Sequence, residues 1–168
     1  MGRLSRLLKH RWFDETDIRR ALPPDALARI EARVTASERR HSGEIRVSVE
    51  AGLPLSYLWK NLHPRDRAIM LFGKLRVWDT EHNNGVLIYL LLAEHAIEIV
   101  ADRGLNQHVS PAQWQALIAP MRAAFAQGRF EDGLLQAIDA IDGLLAQHFA
   151  LAPGQANPDE LPNRPDLR

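Results

Sequence analysis

One apolar run constrains the fold more than any other feature of the sequence, and it extends from Val86 to Ala93 without a charged residue. A transmembrane helix takes about 20 apolar residues, so this run is far too short to span a bilayer. A short segment that is apolar on both faces is typical of a strand in the centre of a sheet. Because the turn signal Asn83-Asn84-Gly85 precedes it, we predict a central strand that begins after a tight turn.

Two further segments show the alternation that is typical of strands. In 44–50, apolar β-branched residues alternate with polar ones, which predicts a strand with one wetter face near a sheet edge. In 96–102 the alternation follows a short polar connection, so the 86–92 and 96–102 strands should form an antiparallel hairpin.

Amphipathic patterns predict helices before, between and after the strands, over about 25–42, 64–77, 110–126 and 130–149. Glu38 is among the residues expected on the outer face of the first of these helices. A helical crossover normally makes the two strands that it joins parallel, so we expect 44–50 and 86–92 to be parallel. The order of elements predicts an α/β fold with helices on both faces of a small mixed sheet.

The two ends of the chain differ from the central domain, which we place at 23–150. In 1–22, basic residues surround Leu4, Leu8 and Trp12, which lie at helical spacing. We expect a short helix that packs these three side chains onto the domain, and an amphipathic helix lying on a membrane surface is the alternative. The segment 151–168 contains four prolines and little to bury, which predicts a disordered tail.

Composition excludes several classes of function. The chain has no cysteine, which excludes disulfides, thiolate zinc sites and a cysteine nucleophile. Its 21 basic and 21 acidic residues give a formal net charge of zero, which argues against a general nucleic-acid binder. The N-terminus lacks the continuous apolar stretch of a secretory signal. We expect a cytoplasmic protein, with a peripheral position at the inner membrane surface as the alternative.

The predicted topology brings polar loops to one edge of the sheet. With one parallel pair and one hairpin, the starts of the 44–50 and 86–92 strands lie beside the end of the 96–102 strand. The residues gathered there are Glu44, Asp79, Glu81, His82, Asn83, Asn84, Asp102, Arg103 and His108.

Carboxylate and amide oxygens on loops are the ligands that Ca²⁺ and Mg²⁺ prefer. We therefore predict a divalent-cation site, without an organic cofactor, and the nearby start of the 110–126 helix would suit a phosphate. The alternative is that these loops are polar because they are solvated, and that the turn forms for its backbone geometry. The predicted metal ligands are Glu44, Asp79, Glu81, Asn84 and Asp102.

Several of these segments resemble the TPM domain. The resemblance lies in Asn83–Leu90 and Ile97–Leu105, and it covers about 27–149. Further matches are Gly43–Ile45 upstream and Trp114, Phe125, Gly128, Phe130, Gly133 and Leu134 downstream. It implies a three-layer α/β/α sandwich, acid-phosphatase activity as in some plant members, and cation binding by acidic loop residues as in some members. Many bacterial members carry a signal peptide, a glycine-rich tail and a transmembrane helix, and are often found beside a LemA-type membrane protein. This sequence shows none of those three segments, and Asn83 stands where relatives commonly have an aspartate.

Three functions are compatible with these features. The first is a non-catalytic or weakly catalytic module that binds a protein partner, which the resemblance implies to be a membrane protein of LemA type. The second is a metal-assisted phosphatase in which Asp79 and Asp102 hold the metal, His82 is the acid or base, and Arg103 clamps the phosphate. The third is a structural domain held at the membrane surface by its N-terminal helix.

Overall fold

The computed structural model describes residues 3–168 as a four-stranded sheet with helices on both of its faces. A 3₁₀ turn, Leu92–Glu94, joins the second strand to the third. The helices are α1 (Arg3–Trp12), α2 (Glu15–Ala21), α3 (Pro24–Ser37), α4 (Leu55–Trp59), α5 (Pro64–Lys74), α6 (Arg103–Asn106), α7 (Pro111–Ala126) and α8 (Phe130–His148). The strands are β1 (Glu44–Glu50), β2 (Gly85–Leu91), β3 (Ala96–Ala101) and β4 (Asp166–Leu167).

The three longer strands pair as the sequence predicted. β1 runs parallel to β2, with Glu44 opposite Gly85. β2 and β3 form an antiparallel hairpin, with Val86 opposite Ala101. The short β4 adds a further parallel strand on the other side of β1, so the order across the sheet is β3-β2-β1-β4.

Two apolar clusters join the sheet to its two helical layers. The first contains the β1 residues Ile45, Val47 and Val49 together with the buried faces of α2, α3, α7 and α8. The second lies on the opposite face of the sheet, where Leu87 and Tyr89 pack with α4 and α5. Since side chains alternate between the faces of a strand, β2 must be apolar on both. The predicted α/β fold with a small mixed sheet is confirmed.

All seven residues of β1 are buried, so the predicted wetter face is wrong, whereas the predicted position near a sheet edge is correct, because only the short β4 lies outside β1. Its polar side chains find partners inside the protein. Glu50, for example, accepts a hydrogen bond from Nε of Arg67 at 2.9 Å and another from the Tyr89 hydroxyl at 2.6 Å. Such a strand keeps the alternation of a half-exposed one, because protein groups replace water as the partners of its polar face.

The C-terminal segment, for which the sequence predicted disorder, lies along the outer side of β1. Arg46 donates to the carbonyl of Pro162 at 2.7 Å, and the Ser48 hydroxyl donates to Asp166 at 2.9 Å. The Arg168 N–H donates to the Val49 carbonyl, and the Ala51 N–H donates to the Arg168 carbonyl, both at 2.9 Å. Main-chain and polar side-chain contacts thus order a segment that buries few apolar groups.

α1 packs on the second helical layer through a different face from the predicted one. Leu7 contacts the second cluster. His10 is 5% exposed; its Nδ1 accepts from the Leu53 N–H at 3.0 Å, and its Nε2 lies 2.9 Å from the Glu94 carboxylate. The three side chains that were expected to pack inward are exposed instead, and they are Leu4, Leu8 and Trp12.

Gly85, where β2 begins, should not tolerate a side chain. A Cβ built there would lie 1.9 Å from the Val77 carbonyl oxygen, so Gly85→Ala has to displace backbone at the start of the central strand. We expect the substitution to lower the free energy of unfolding by about 1–3 kcal/mol. In the control Gly143→Ala, the added methyl meets nothing within 4 Å on an exposed part of α8. That change should raise the free energy by about 1 kcal/mol. Urea denaturation of both variants measures the difference, and equal values would contradict the tight approach at Gly85.

Candidate cation site at the sheet end

Hydrogen bonds join the 79–85 loop to the end of β3. The Asp102 N–H donates to the Gly85 carbonyl at 2.9 Å, and the Gly104 N–H donates to the Asn83 carbonyl at 2.9 Å. Glu44, the register partner of Gly85, places the start of β1 at the same edge. The starts of β1 and β2 and the end of β3 therefore meet in the structure, as the predicted topology required.

Polar groups within the loop fix its shape. The Thr80 hydroxyl accepts from the Asn84 N–H at 3.1 Å. Asn83 adopts a φ of 51°, the left-handed conformation that asparagine tolerates better than most residues. The Asn84 side-chain amide donates to the Ser42 hydroxyl at 3.2 Å, which ties the loop to the segment before β1. The turn signal therefore sets the backbone and also directs a side-chain oxygen toward the interior.

Three buried side-chain oxygens at this edge have no hydrogen-bond partner among residues 3–168. They come from three separate segments and are Oε1 of Glu44, Oδ1 of Asn84 and Oδ2 of Asp102. Buried polar atoms nearly always bind another protein group, a water or an ion. Each of the three is an oxygen of the kind that hard cations bind, and each belongs to the predicted ligand set.

Apart from the half-buried Asn83, the remaining predicted residues of this edge differ from these three, because they are exposed to solvent. Asp79, Glu81, His82 and Arg103 are exposed, and His108 stacks on His148 with 4.5 Å between the ring centroids. Within the described chain, no hydrogen bond or ion pair links His82 to Arg103. The catalytic roles of His82 and Arg103 and the metal-ligand roles of Asp79 and Glu81 stay predictions.

Two acidic residues outside the predicted set approach Glu44 and form with it what we call the carboxylate triad. They are Glu38, which follows α3, and Asp159 of the C-terminal segment; one carboxylate oxygen of each of the three residues lies within 4.8 Å of the others. Glu38 accepts a hydrogen bond from the Ile45 N–H at 3.1 Å, and Glu44 accepts one from the Leu161 N–H at 3.1 Å. The triad thus joins a helix end, a strand start and the C-terminal segment.

The expected outward position of Glu38 is wrong, since this residue is only 4% exposed. Ile30, Val34 and Glu38 follow one another at four-residue spacing, which places the carboxylate on the buried stripe of the helix. That spacing was the signal that the sequence offered. Asp159 gave no comparable signal, because its segment has neither periodicity nor a motif.

Comparison with protein families gives one matching family. The model of the TPM domain matches residues 16–144, which is more than half of the chain. The chain belongs to the TPM domain family. A comparison with curated proteins gave no match.

Two solved structures resemble this TPM domain. The NMR structure of the BA42 protein from the psychrophilic bacterium Bizionia argentinensis is 29% identical in sequence, with a TM-score of 0.76 over 88% of this chain and 95% of that chain. The N-terminal domain of a protein from P. gingivalis is 21% identical, with a TM-score of 0.59 over 78% of this chain and 83% of that chain. The second likeness shows the fold alone.

Burial disfavours the ionised form of two carboxylates in the triad of this TPM domain. Desolvation raises the pKa of Glu38 to about 8 and that of Glu44 to about 7, although backbone N–H groups that bind the carboxylates oppose the shift. None of the ion pairs found within residues 3–168 includes Glu38, Glu44 or Asp159. Glu38 and Glu44 therefore either retain protons near neutral pH or need a cation that balances their charge.

The stability of the metal-free protein should fall as pH rises from about 5 to 8. The pKa values of Glu38 and Glu44 are higher in the folded chain than in the unfolded chain, so the folded state binds more protons in this window. The stability that these two carboxyl groups contribute is therefore lost as pH rises through their pKa values in the folded chain. The Glu44→Gln variant cannot ionise at that position. Between pH 5 and 8, its free energy of unfolding should therefore fall by about 2 kcal/mol less than that of the wild type.

Chemical denaturation in a chelating buffer across this pH range measures the difference. Asp139→Asn, which changes an exposed carboxylate on α8, should keep the wild-type profile. If Glu44→Gln also kept it, the raised pKa of Glu44 would be contradicted.

Proposed function

We propose that this TPM domain is a binding module that takes up a divalent cation at the carboxylate triad. The observation that carries the proposal is the approach of three carboxylates to within 4.8 Å, with Glu44 fully buried and its Oε1 without a hydrogen-bond partner in the described chain. Ionised oxygens at such distances repel one another, and a cation between them replaces the repulsion with coordination.

The surroundings of the triad favour a cation with a flexible ligand shell. A cavity of about 360 Å³ adjoins Glu38 and Asp159 and is lined also by Asn157 and Asn163. It offers room for water molecules and amide oxygens beside the carboxylates. Ca²⁺ accepts about six to eight oxygen ligands in variable geometry, whereas Mg²⁺ demands a near-ideal octahedron. We therefore propose Ca²⁺ before Mg²⁺.

Calcium titration of the metal-free protein should shift the amide resonances of Glu38, Ile45 and Leu161 in a saturable way. Asp159→Asn removes one of the three carboxylates and should raise the dissociation constant by about tenfold or more. The matched control Asp139→Asn, an exposed aspartate on α8, should bind as the wild type does. NMR titration together with calorimetry measures both quantities. The absence of saturable shifts at millimolar Ca²⁺ and Mg²⁺ would contradict the proposal.

Asp102→Asn separates the triad from the ligand set that the sequence predicted. Both sets share Glu44, but Asp102 lies only in the predicted one. If the cation occupies the triad, Asp102→Asn should leave the affinity unchanged within about twofold. Weakening by Asp102→Asn without weakening by Asp159→Asn would place the cation among Asn84, Asp102 and the 79–85 loop instead.

Cation binding should also hold the C-terminal segment against β1. Asp159 belongs to that segment, whereas Glu38 and Glu44 belong to the body, so occupancy of the triad and docking of the segment stabilise each other. We expect the amide protons of Leu161 and Arg168 to exchange several-fold more slowly in saturating Ca²⁺ than in chelator. Hydrogen exchange measures this, with the β2 amides as the internal reference. Equal exchange in both conditions, with the cation bound, would show that the two are not coupled.

Hydrolysis of phosphomonoesters is the enzymatic alternative that the family resemblance implies. It would use Asp79 and Asp102 as metal ligands, His82 as acid or base, and Arg103 as phosphate clamp. We rank binding first, because general acid–base chemistry needs groups within hydrogen-bond reach of the substrate, and the exposed His82 and Arg103 have no described contact that orients them. Turnover that requires Ca²⁺ or Mg²⁺ and is lost in His82→Ala and Asp102→Asn would reverse this order.

We propose that this module also binds a protein partner, which the family resemblance implies to be a membrane protein of LemA type. We propose in addition that the domain works in a peripheral position at a membrane. The exposed apolar residues of α1 support this position.

A further inference from the structure

Two short helices each expose a row of large apolar side chains. Leu4, Leu8 and Trp12 follow one another at four-residue spacing on α1, and Leu55 and Trp59 do so on α4. The two helices contact each other, and we call their two exposed apolar rows together the α1–α4 face. Within residues 3–168, five of the eight large apolar side chains that are exposed lie on it. Trp12 and Trp59 are 81% and 74% exposed, and large apolar side chains exposed on neighbouring helices are typical of a surface that contacts a protein or a membrane.

The exposure does not result from a detached helix. On its inner side, Arg6 donates to the Leu62 carbonyl at 2.8 Å and to the Glu94 carboxylate at 2.7 Å. The same carboxylate binds His10, and the two contacts hold the pKa of Glu94 near 2. α1 is therefore docked through one face while its apolar row points away from the body.

Positive charge surrounds the apolar rows. α1 and α4 contain no acidic residue, and Lys9, Arg11 and Lys60 lie within or directly after them. No ion pair is found for these three side chains in the described part of the chain. The nearest acidic residues in sequence, Asp14 and Glu15, belong to the start of α2, where Asp14 caps the helix. A chain with zero net charge thus concentrates unpaired basic groups around its most exposed apolar surface.

We propose that the α1–α4 face docks on an anionic lipid surface. The combination of an apolar row, tryptophans at its rim and flanking lysine and arginine is that of helices which lie in the membrane interface. None of the helices described in residues 3–168 is long and apolar enough to cross a bilayer. The inference rests on the peripheral position proposed above and is independent of the cation site.

The attachment should be weak, reversible and sensitive to salt. A ten-residue helix buries only a shallow row of side chains, and each basic group near an anionic surface contributes about 1 kcal/mol. Screening reduces this contribution when the Debye length falls from about 10 Å to about 3 Å. The same face without its charges should therefore bind lipid poorly.

Vesicle flotation with the full chain tests the proposal. Vesicles of phosphatidylcholine with about one third phosphatidylglycerol should retain the protein at low salt, with about tenfold less binding to pure phosphatidylcholine or at high salt. Trp12→Ala/Trp59→Ala and Lys9→Glu/Arg11→Glu should each reduce binding about tenfold or more. The control Arg33→Glu/Arg122→Glu makes the same charge change on the opposite helical layer and should bind within about twofold of the wild type.

The outcomes of these experiments distinguish an anionic lipid surface from a second copy of the chain as the partner of the α1–α4 face. No flotation of the wild type, or equal flotation of neutral and anionic vesicles, would overturn the proposal, as would retention by the double-tryptophan variant. A concentration-dependent dimer in sedimentation that disappears in Trp12→Ala/Trp59→Ala, without flotation, would assign the face to a second copy. Calcium titration of the face variants should match that of the wild type, so a failure of the cation site and a failure of lipid docking are seen separately.

Discussion

The parallel pairing of β1 with β2 is the constraint on which the rest of the structure depends. It runs through all seven residues, from Glu44 beside Gly85 to Glu50 beside Leu91. A parallel pair needs a crossover, which α4 and α5 provide on one face, and the β2–β3 hairpin then returns Asp102 to the start of β1. A slip of one residue would turn the apolar side chains of β1 out of the core and move Glu44 to the other face. One register therefore determines both the core and the candidate site.

Side chains and the chain's own C-terminal segment bind part of the backbone on the outer sides of β3 and β1. On β3, Arg65 donates to the Ile99 carbonyl and Asn106 donates to the Ala101 carbonyl. On β1, the C-terminal segment supplies the backbone partners. Uncovered strand edges pair with other chains, so these contacts direct binding away from the sheet edges.

Local pattern was sufficient for the main strands and for the convergence of their ends, because periodicity and the crossover rule decide both. Local pattern could not predict the burial of the polar face of β1. The alternation of residues is the same whether Ser48 and Glu50 face water or face Asp166 and Arg67. The triad needed more than local pattern as well. Glu44 meets the backbone of Leu161 across 117 positions of sequence, and no periodicity records a contact between a strand start and an irregular segment so far away.

The two ends of β1 show why the triad is better explained by binding than by packing. Glu50 and Glu44 are both buried carboxylates of the same strand. Around Glu50 the fold supplies a guanidinium from Arg67 and a hydroxyl from Tyr89, which together balance its charge and fill its hydrogen bonds. Around Glu44 the described chain supplies backbone N–H groups and a second buried carboxylate, but no positively charged side chain, and Oε1 of Glu44 has no hydrogen-bond partner. A buried ion without a partner costs several kcal/mol, on the order of the whole margin by which a small domain is stable. The same strand satisfies one carboxylate internally, so the positive charge that the other lacks has to come from solution, as a proton or as a cation.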